Sequence, residues 1–448
     1  MSSISQELVP EGFQKTEIGV IPVGWDVKQL YDFIVALEAG ISVNSTNDSE
    51  ASSHGMSILK TSCIFGGKFF PKEAKAILSR DLKRAKLNPR KNAIIISRMN
   101  TPALVGEIGF VDNDCCDLFL PDRLWQTKYK NESAFHERWL AYILSYPTYS
   151  NKVKETATGT SNSMKNISKD SFLSVKVPTP NKSEQIAIST ALSDVDTLIT
   201  SLEKLIAKKR AIKTAAMQQL LTGKKRLPPF DQSHTGYKKT ELGEIPEDWE
   251  LVRLGDLGKT YGGLTGKTKS DFGIGNANYI PFMNIMSSVT VNPKWVERVS
   301  LKVGELQNEV LKGDLLFNGS SETPEEVAMC SLVLNQISDL YLNSFCFGFR
   351  LNKDTNSDGL FMAYWFRSSI GRNMMAYLAQ GATRYNISKR AFVELQFWLP
   401  SVEEQKCISA ILSDMDLDIQ SLEQRLNKAQ KIKQGMMQEL LTGKTRLL

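Results

Sequence analysis

At 448 residues the chain is too long for one ordinary domain, and length alone suggests two to four. Hydrophobic residues make up 42% and charged residues 23%, the balance of a globular, soluble protein with material for real cores. The net charge of +6 is compatible with a nucleic-acid partner without being diagnostic of one.

Along the chain, "QKTEIGVIPVGWDVKQL" leads from Gln14 into a variable stretch. "NAIIISR" from Asn92 is a short apolar run bounded by turn formers, the pattern of a buried strand, and "GEIGFVDND" adds another strand. "HERWLAYILSY" predicts a helix. A loop, "GTSNSMKNISK", then precedes a long helical segment from Glu184. Its residues Ile188, Leu192, Val195, Ile199, Leu202 and Ile206 step by four and three, a heptad-like stripe for helix pairing. Asn181 and Glu184, just after Pro180, form a capping-box-like start. Gly223 in "MQQLLTGKKRL" supplies a left-handed helix end, with Lys224 and Lys225 near the negative terminus, and Pro228 and Pro229 forbid continuation.

The chain then writes the same order again. "KKTELGEIPEDWELVRL" from Lys238 repeats the lead-in. "GDLLFNG" and "NSFCFGFRL" predict strands, and "DGLFMAYWFRSSIGRNMMAYLAQ" predicts helices that match "WLAYILSYPTYSNKVKETATGT" of the first copy. "NISK" recurs at Asn386. The segment from Glu404 aligns without gaps to the one from Glu184, with more than half the positions identical, and ends "MQELLTGKTRL". Its stripe is Ile408, Leu412, Met415, Ile419, Leu422 and Leu426, and its start is Ser401 and Glu404 after Pro400. A period of half the chain is the duplication of a whole unit. Each long helix would cover about 39 residues, roughly 58 Å, too long to bury in one small domain, so the two matching stripes are expected to pair. The predicted architecture is a lead-in (1–25), a mixed α/β domain (26–178), a central helix (179–228), a linker and second lead-in (229–249), a second α/β domain (250–398) and a final helix (399–448).

Catalytic chemistry is hard to find. "YGGLTGKT", Tyr261 to Thr268, ends like a phosphate-binding loop, but Tyr261 stands where the pattern needs its first glycine. A flexible loop is the alternative. His54, His136 and His234 lie far apart with no ligand partner at helical spacing, and no G-x-S-x-G elbow or dinucleotide motif occurs. The six cysteines show no C-x-x-C pair, which argues for reduced cytosolic thiols. The opening residues lack a secretory leader, and no stretch reaches the roughly 20 apolar residues of a membrane span, so a cytoplasmic protein without membrane contact is expected. The chain reads as a recogniser.

The densest nucleic-acid signal runs from Lys72 to Lys91: Lys72, Lys75, Arg80, Lys83, Arg84, Lys86, Arg90 and Lys91 against only Glu73 and Asp81. A solvated basic helix face is the competing reading. The loop residues Lys165, Asn166, Arg384, Tyr385 and Asn386 are candidates to reach bases or phosphates, or else simply shape the approach to the long helices. Arg98 and Asn100, with Asn318 and Ser320, close strands at equivalent places and are further candidates, against plain turn chemistry.

Two variable α/β domains, each led in by "IP…W" and left through "NISK…P…EQ…LLTGK", resemble the DNA-specificity subunit of type I restriction–modification systems, over nearly the whole chain. The resemblance implies two target-recognition domains held apart by two antiparallel helices with pseudo-two-fold symmetry. Each domain would read half of a bipartite site in double-stranded DNA. The shared helices would dock methyltransferase subunits, usually two, and restriction-translocation subunits. S-adenosylmethionine, ATP and Mg would belong to those partners, with no cofactor, metal or catalytic residue in this chain. Two alternatives stand beside it: a coiled-coil scaffold pairing two protein-binding domains, and a nucleotide-binding enzyme using residues 262–268.

Overall fold

The computed structural model describes residues 9–47, 55–131, 134–159, 163–232, 236–240 and 243–447. His54 and His234 lie outside them. The fold divides into two compact units, Met1–Leu202 with Arg425–Leu448, and Glu203–Gln424. Each unit therefore holds one α/β domain and part of both long helices.

In the first unit the main sheet has six strands, in the order Ile34–Ala39, Leu124–Tyr129, Ile94–Ser97, Ile108–Phe110, Gly67–Phe69 and Ile64–Phe65. The run "IIIS" explains its own position. Ile94 and Ile96 face a core containing Trp25, Phe33, Trp139 and Phe172, while Ile95 faces a smaller core with Leu59, Cys63 and Leu118. A strand covered on both faces has no polar side to alternate. The second unit repeats this with four strands, Gly258–Gly262, Cys346–Leu351, Leu315–Asn318 and Cys330–Leu332. Leu315 and Phe317 face a core with Phe349, Phe366 and Phe392, and Leu316 faces the smaller one.

The variable stretch after each lead-in supplies most of the second sheet of each unit, and there the units differ. Leu118–Phe119, Ser57–Leu59, Ala74–Ile77 and Ser45–Thr46 make it in the first, and Glu297–Val299, Phe272–Ile280 and Leu340–Leu342 in the second. The basic run from Lys72 is accordingly no helix face. It is the strand Ala74–Ile77, a 3-10 turn over Ser79–Arg84 and an extended segment, because Lys75 pairs with Ile58 in the sheet.

The long helices span Lys182–Leu220 and Val402–Leu440, 39 residues each. Their pairing is antiparallel. In the first unit Lys433 meets Asp196 at 2.8 Å and Arg446 meets Glu184 at 2.5 Å. In the second, Lys213 meets Asp416 at 2.5 Å, Lys209 meets Asp418 at 3.0 Å and Arg226 meets Glu404 at 2.6 Å. The apolar stripes are not wholly devoted to pairing. Ile188 and Leu192 belong to the core of the first α/β domain, and Ile408 and Leu412 to that of the second. Ile199, Leu202, Ile206, Ile419 and Leu422 are buried, whereas Val195, Met415 and Leu426 are half-buried.

Half of each predicted capping box forms. Asn181 Oδ1 accepts from Glu184 N at 2.9 Å, and Ser401 Oγ from Glu404 N at 3.3 Å. The two glutamate side chains do not turn back to the cap, because they are committed elsewhere. Glu184, 2% exposed, accepts from Trp25 Nε1 at 3.1 Å and from Arg446 Nε and Nη2 at 2.5 and 2.8 Å. Glu404 accepts from Arg226 Nε and Nη2 at 2.9 and 2.6 Å. These arginines stand at the same place in the two copies, two residues after "LLTGK". Gly223 (φ +70°) and Gly443 (φ +69°) do end the helices in the left-handed conformation. Each also lies flat on a lead-in: a Cβ would stand 2.4 Å from Pro246 Cδ at Gly223 and 2.2 Å from Pro22 Cγ at Gly443. The end of the second long helix thus closes the first unit, and the end of the first helix closes the second.

Candidate nucleic-acid interface

The candidates taken from strand ends and exit loops come together. Met99–Asn100 pairs with Lys165–Asn166 as an antiparallel ribbon, Met99 opposite Asn166 and Asn100 opposite Lys165. In the second unit Ser320 lies opposite Asn386 and Ser321 opposite Tyr385. Equivalent sequence stretches, far apart along the chain, thus pair in the same way in both units, and in the second Ala379–Gln380 adds a third strand beside Tyr385–Ile387.

Its residues are differently equipped. Arg98 lies 5.9 Å from the Trp125 ring and donates from Nε to Asp122 O at 2.8 Å. Asn100 donates to Ser97 Oγ at 3.2 Å, and Lys165 to Gly159 O at 2.8 Å. The Asn166 Oδ1 atom is buried without a hydrogen-bond partner. Opposite numbers in the second unit are more open: Arg384 and Asn386 are exposed and Tyr385 is half-buried. Arg384 Nε donates to Ser320 Oγ at 3.3 Å.

Asn318 is placed inside instead. It is fully buried, donates to Ser320 O and Glu326 O at 3.1 and 2.8 Å, and accepts from Met329 N at 2.6 Å. Its amide is used up in shaping the turn, and Ser320, 5% exposed, is also inward. Of the basic run, Arg84 and Arg80 pair with buried Asp81 at 2.7 and 3.7 Å, and Arg90 pairs with Glu38. The Asn44 amide and then Arg84 hold the Asp81 carboxyl below its ordinary range. Lys72, Lys83, Lys86 and Lys91 are exposed and Lys75 half-buried, and none of the five has an ion-pair partner among the described residues.

The phosphate-loop reading meets a direct obstacle. The Lys267 side chain is 4% exposed, and its ammonium group donates to Ser300 O at 2.8 Å and to Glu305 at 2.5 Å. Only the 3-10 turn Lys269–Asp271 follows, so no helix terminus faces a phosphate there. His136, the one described histidine, has a buried Nδ1 without a partner, and burial keeps its pKa below the ordinary value.

Two sets of residues that join helix to domain were not singled out from the sequence. Tyr142 donates to Asp196 at 2.9 Å beside Lys433, and Tyr364 donates to Asp416 at 2.7 Å beside Lys213. Gln185 accepts from His136 N, and Gln405 from Asp358 N, where each domain's helix pair begins. Their signal was present in the repeat itself, in "AY", "SD-D", "EQ" and the arginine after "TGK", letters that persist while their neighbours change.

Among the described residues no helix is long and apolar enough to cross a membrane. The sequence pattern of the type I restriction modification DNA specificity domain matches residues 22–213 and again 246–431. A Methanocaldococcus jannaschii protein named for the specificity subunit of the type I restriction enzyme MjaX is 26% identical over 445 residues, 98% of this chain and 97% of that one. The MjaVIII specificity subunit of the same organism is 28% identical over 321 residues, covering 67% of this chain and 70% of its own. Among solved structures, the type I restriction–modification S subunit from M. genitalium superposes with a TM-score of 0.57 at 15% identity, covering 93% of this chain and 96% of that one, a likeness of fold. With two tandem matches spanning most of its length, the chain belongs to the type I restriction–modification DNA-specificity family and carries two specificity domains.

Proposed function

We propose that each specificity domain, 26–178 and 250–398, reads one half of a bipartite sequence in double-stranded DNA, with the paired long helices as the shared platform for methyltransferase and restriction subunits. The observation that carries this reading is the duplicated ribbon: the same strand pairing carries Arg98, Asn100, Lys165 and Asn166 in one unit and Arg384, Tyr385 and Asn386 in the other. A conserved frame with different side chains is what two readers of different half-sites need. The free lysines between Lys72 and Lys91 would contribute sequence-independent phosphate contact, which sets register and affinity.

On this reading the chain is a non-catalytic cytoplasmic subunit. S-adenosylmethionine, ATP and Mg would act in its partners, and two methyltransferase subunits would match two equivalent frames. Co-expression with a cognate methyltransferase subunit, followed by mapping of methylated adenines, tests it. A two-part motif that disappears when this chain is omitted is expected. Methylation unchanged by omission would overturn the proposal.

A further inference from the structure

One spot in the second unit combines an exposed ring with an unoccupied guanidinium. Phe345 is 59% exposed at the turn before Cys346–Leu351. Gly319 N donates to Phe345 O at 2.8 Å, and Ile387 N donates to Gly319 O at 3.2 Å, so this turn is fixed to both strands of the ribbon. Arg384 lies on the ring, its guanidinium carbon 5.2 Å from the centroid, while Nε is held by Ser320 Oγ. Its terminal nitrogens donate to nothing among the described residues, and no carboxylate pairs with it. Arg253 and Arg350 of the unit are engaged by carboxylates, and Arg367 and Arg372 by backbone carbonyls; exposed Arg390, on the short helix Lys389–Val393, has neither a ring nor a hydrogen bond to hold it among the described residues.

We propose that Arg384, propped by Phe345 and Ser320, is the guanine-reading residue of the half-site met by the second unit, an assignment that rests on the half-site reading above. The chemistry is specific. The free edge of a guanidinium offers two N–H donors with the spacing of guanine O6 and N7 in the major groove. Stacking on an aromatic face and a bond at Nε fix the fork beforehand, so less side-chain freedom is lost on contact.

The first unit is built otherwise at the same place. Arg98 N donates to Arg123 O at 3.1 Å and Ile167 N to Arg98 O at 2.9 Å, which makes Arg98 the counterpart of Gly319 and Arg123 that of Phe345. Met164 stands two residues before Asn166, as Arg384 does before Asn386. The backbone bonds are kept while Gly319, Phe345 and Arg384 are exchanged for Arg98, Arg123 and Met164, as expected of positions that set specificity.

The test uses the full chain in complex with its methyltransferase subunits and duplexes carrying the mapped site. 7-Deazaguanine, which lacks the N7 acceptor, is placed at each guanine of the second unit's half-site, assigned by exchanging residues 250–398. The wild-type complex should lose affinity about five- to 150-fold at one guanine. Arg384→Ala should bind the unmodified site less well by a similar factor and be indifferent to that replacement. Phe345→Leu should show a smaller loss at the same base. A half-site without a G·C pair, no sensitive guanine, or equal sensitivity in wild type and Arg384→Ala would each overturn the assignment. Absence of any bipartite site for the wild type would instead overturn the half-site reading beneath it. If Arg384→Ala fails to assemble, the wild-type duplex series and Phe345→Leu still decide.

Discussion

Arg446→Ala takes two hydrogen bonds from Glu184 and leaves its carboxylate, 2% exposed, with the Trp25 indole N–H alone. Breaking one side of a buried ion pair costs about 3–5 kcal/mol, chiefly because the surviving charge stays desolvated. Arg446 is 29% exposed, so water enters the vacated space and the lower end, about 3 kcal/mol, is expected. At about 1.4 kcal/mol per tenfold, that corresponds to roughly 150-fold faster amide exchange where local opening governs it. Hydrogen exchange read by mass spectrometry on peptides from 437–447 and around Trp25 measures this directly. Peptides from 217–227, which close the second unit on Glu404, serve as the internal control. The double variant Arg446→Met with Glu184→Leu should regain a large part of the loss, because no charge is left buried. A change below tenfold at 437–447, or a double variant as damaged as the sum of its singles, would refute the reasoning.

Gly443→Ala should lower the melting temperature, since a side chain there meets Pro22 and must hold a positive φ; about 2 kcal/mol is expected, and Gly223→Ala should behave alike against Pro246. Asn318→Ala should destabilise the second unit by about 1–3 kcal/mol through lost buried hydrogen bonds, whereas Asn386→Ala should leave unfolding unchanged and weaken DNA binding. Replacing Lys83 and Lys86 by Gln should reduce the slope of log affinity against log salt by about 0.9 for each phosphate contact removed, without altering the methylated motif. The Lys267 ammonium, then the Lys302 backbone N–H, depress the Glu305 carboxyl to about 2. A depressed acid gives its contribution above its unfolded value near 4.5 and loses it as pH falls toward 2. Lys267→Met should move Glu305 back toward the ordinary carboxylate range by carbon-detected titration, and an unmoved midpoint would refute the pairing.

Periodicity made the large features readable: strands such as Ile94–Ser97, the 39-residue helices and their glycine ends each follow from a local pattern. The basic run was less legible, because its charge density says nothing about pairing, and Lys75 went to a sheet. Glu184 and Glu404 are more instructive. Their spacing from a cap fits a local hydrogen bond, but their partners lie 262 and 178 residues away. No local window contains that information; only the repeat hinted at it, by keeping the glutamates and arginines together through the duplication. The ribbon was legible in its parts, Arg98 and Asn166 among them, but not in its pairing register. Phe345 and Arg123 stayed unnoticed because a single exposed ring or cation in a turn has no pattern of its own.

The crossed closure has a consequence for synthesis. The first unit includes residues after Arg425, and its core contains Leu440 and Leu441. A ribosome delivers those residues after the whole of the second unit, so the first α/β domain emerges and waits, its Glu184 without Arg446 and its core open on one side, until they follow. The second unit, bounded by Glu203 and Gln424, holds its closing segment, through Arg226, from the start of its own synthesis. The later half of the message is therefore expected to mature first. Losing residues 440–446 therefore injures the first unit and spares the second, and the interval of waiting is a window in which a chaperone or a second nascent chain can intervene.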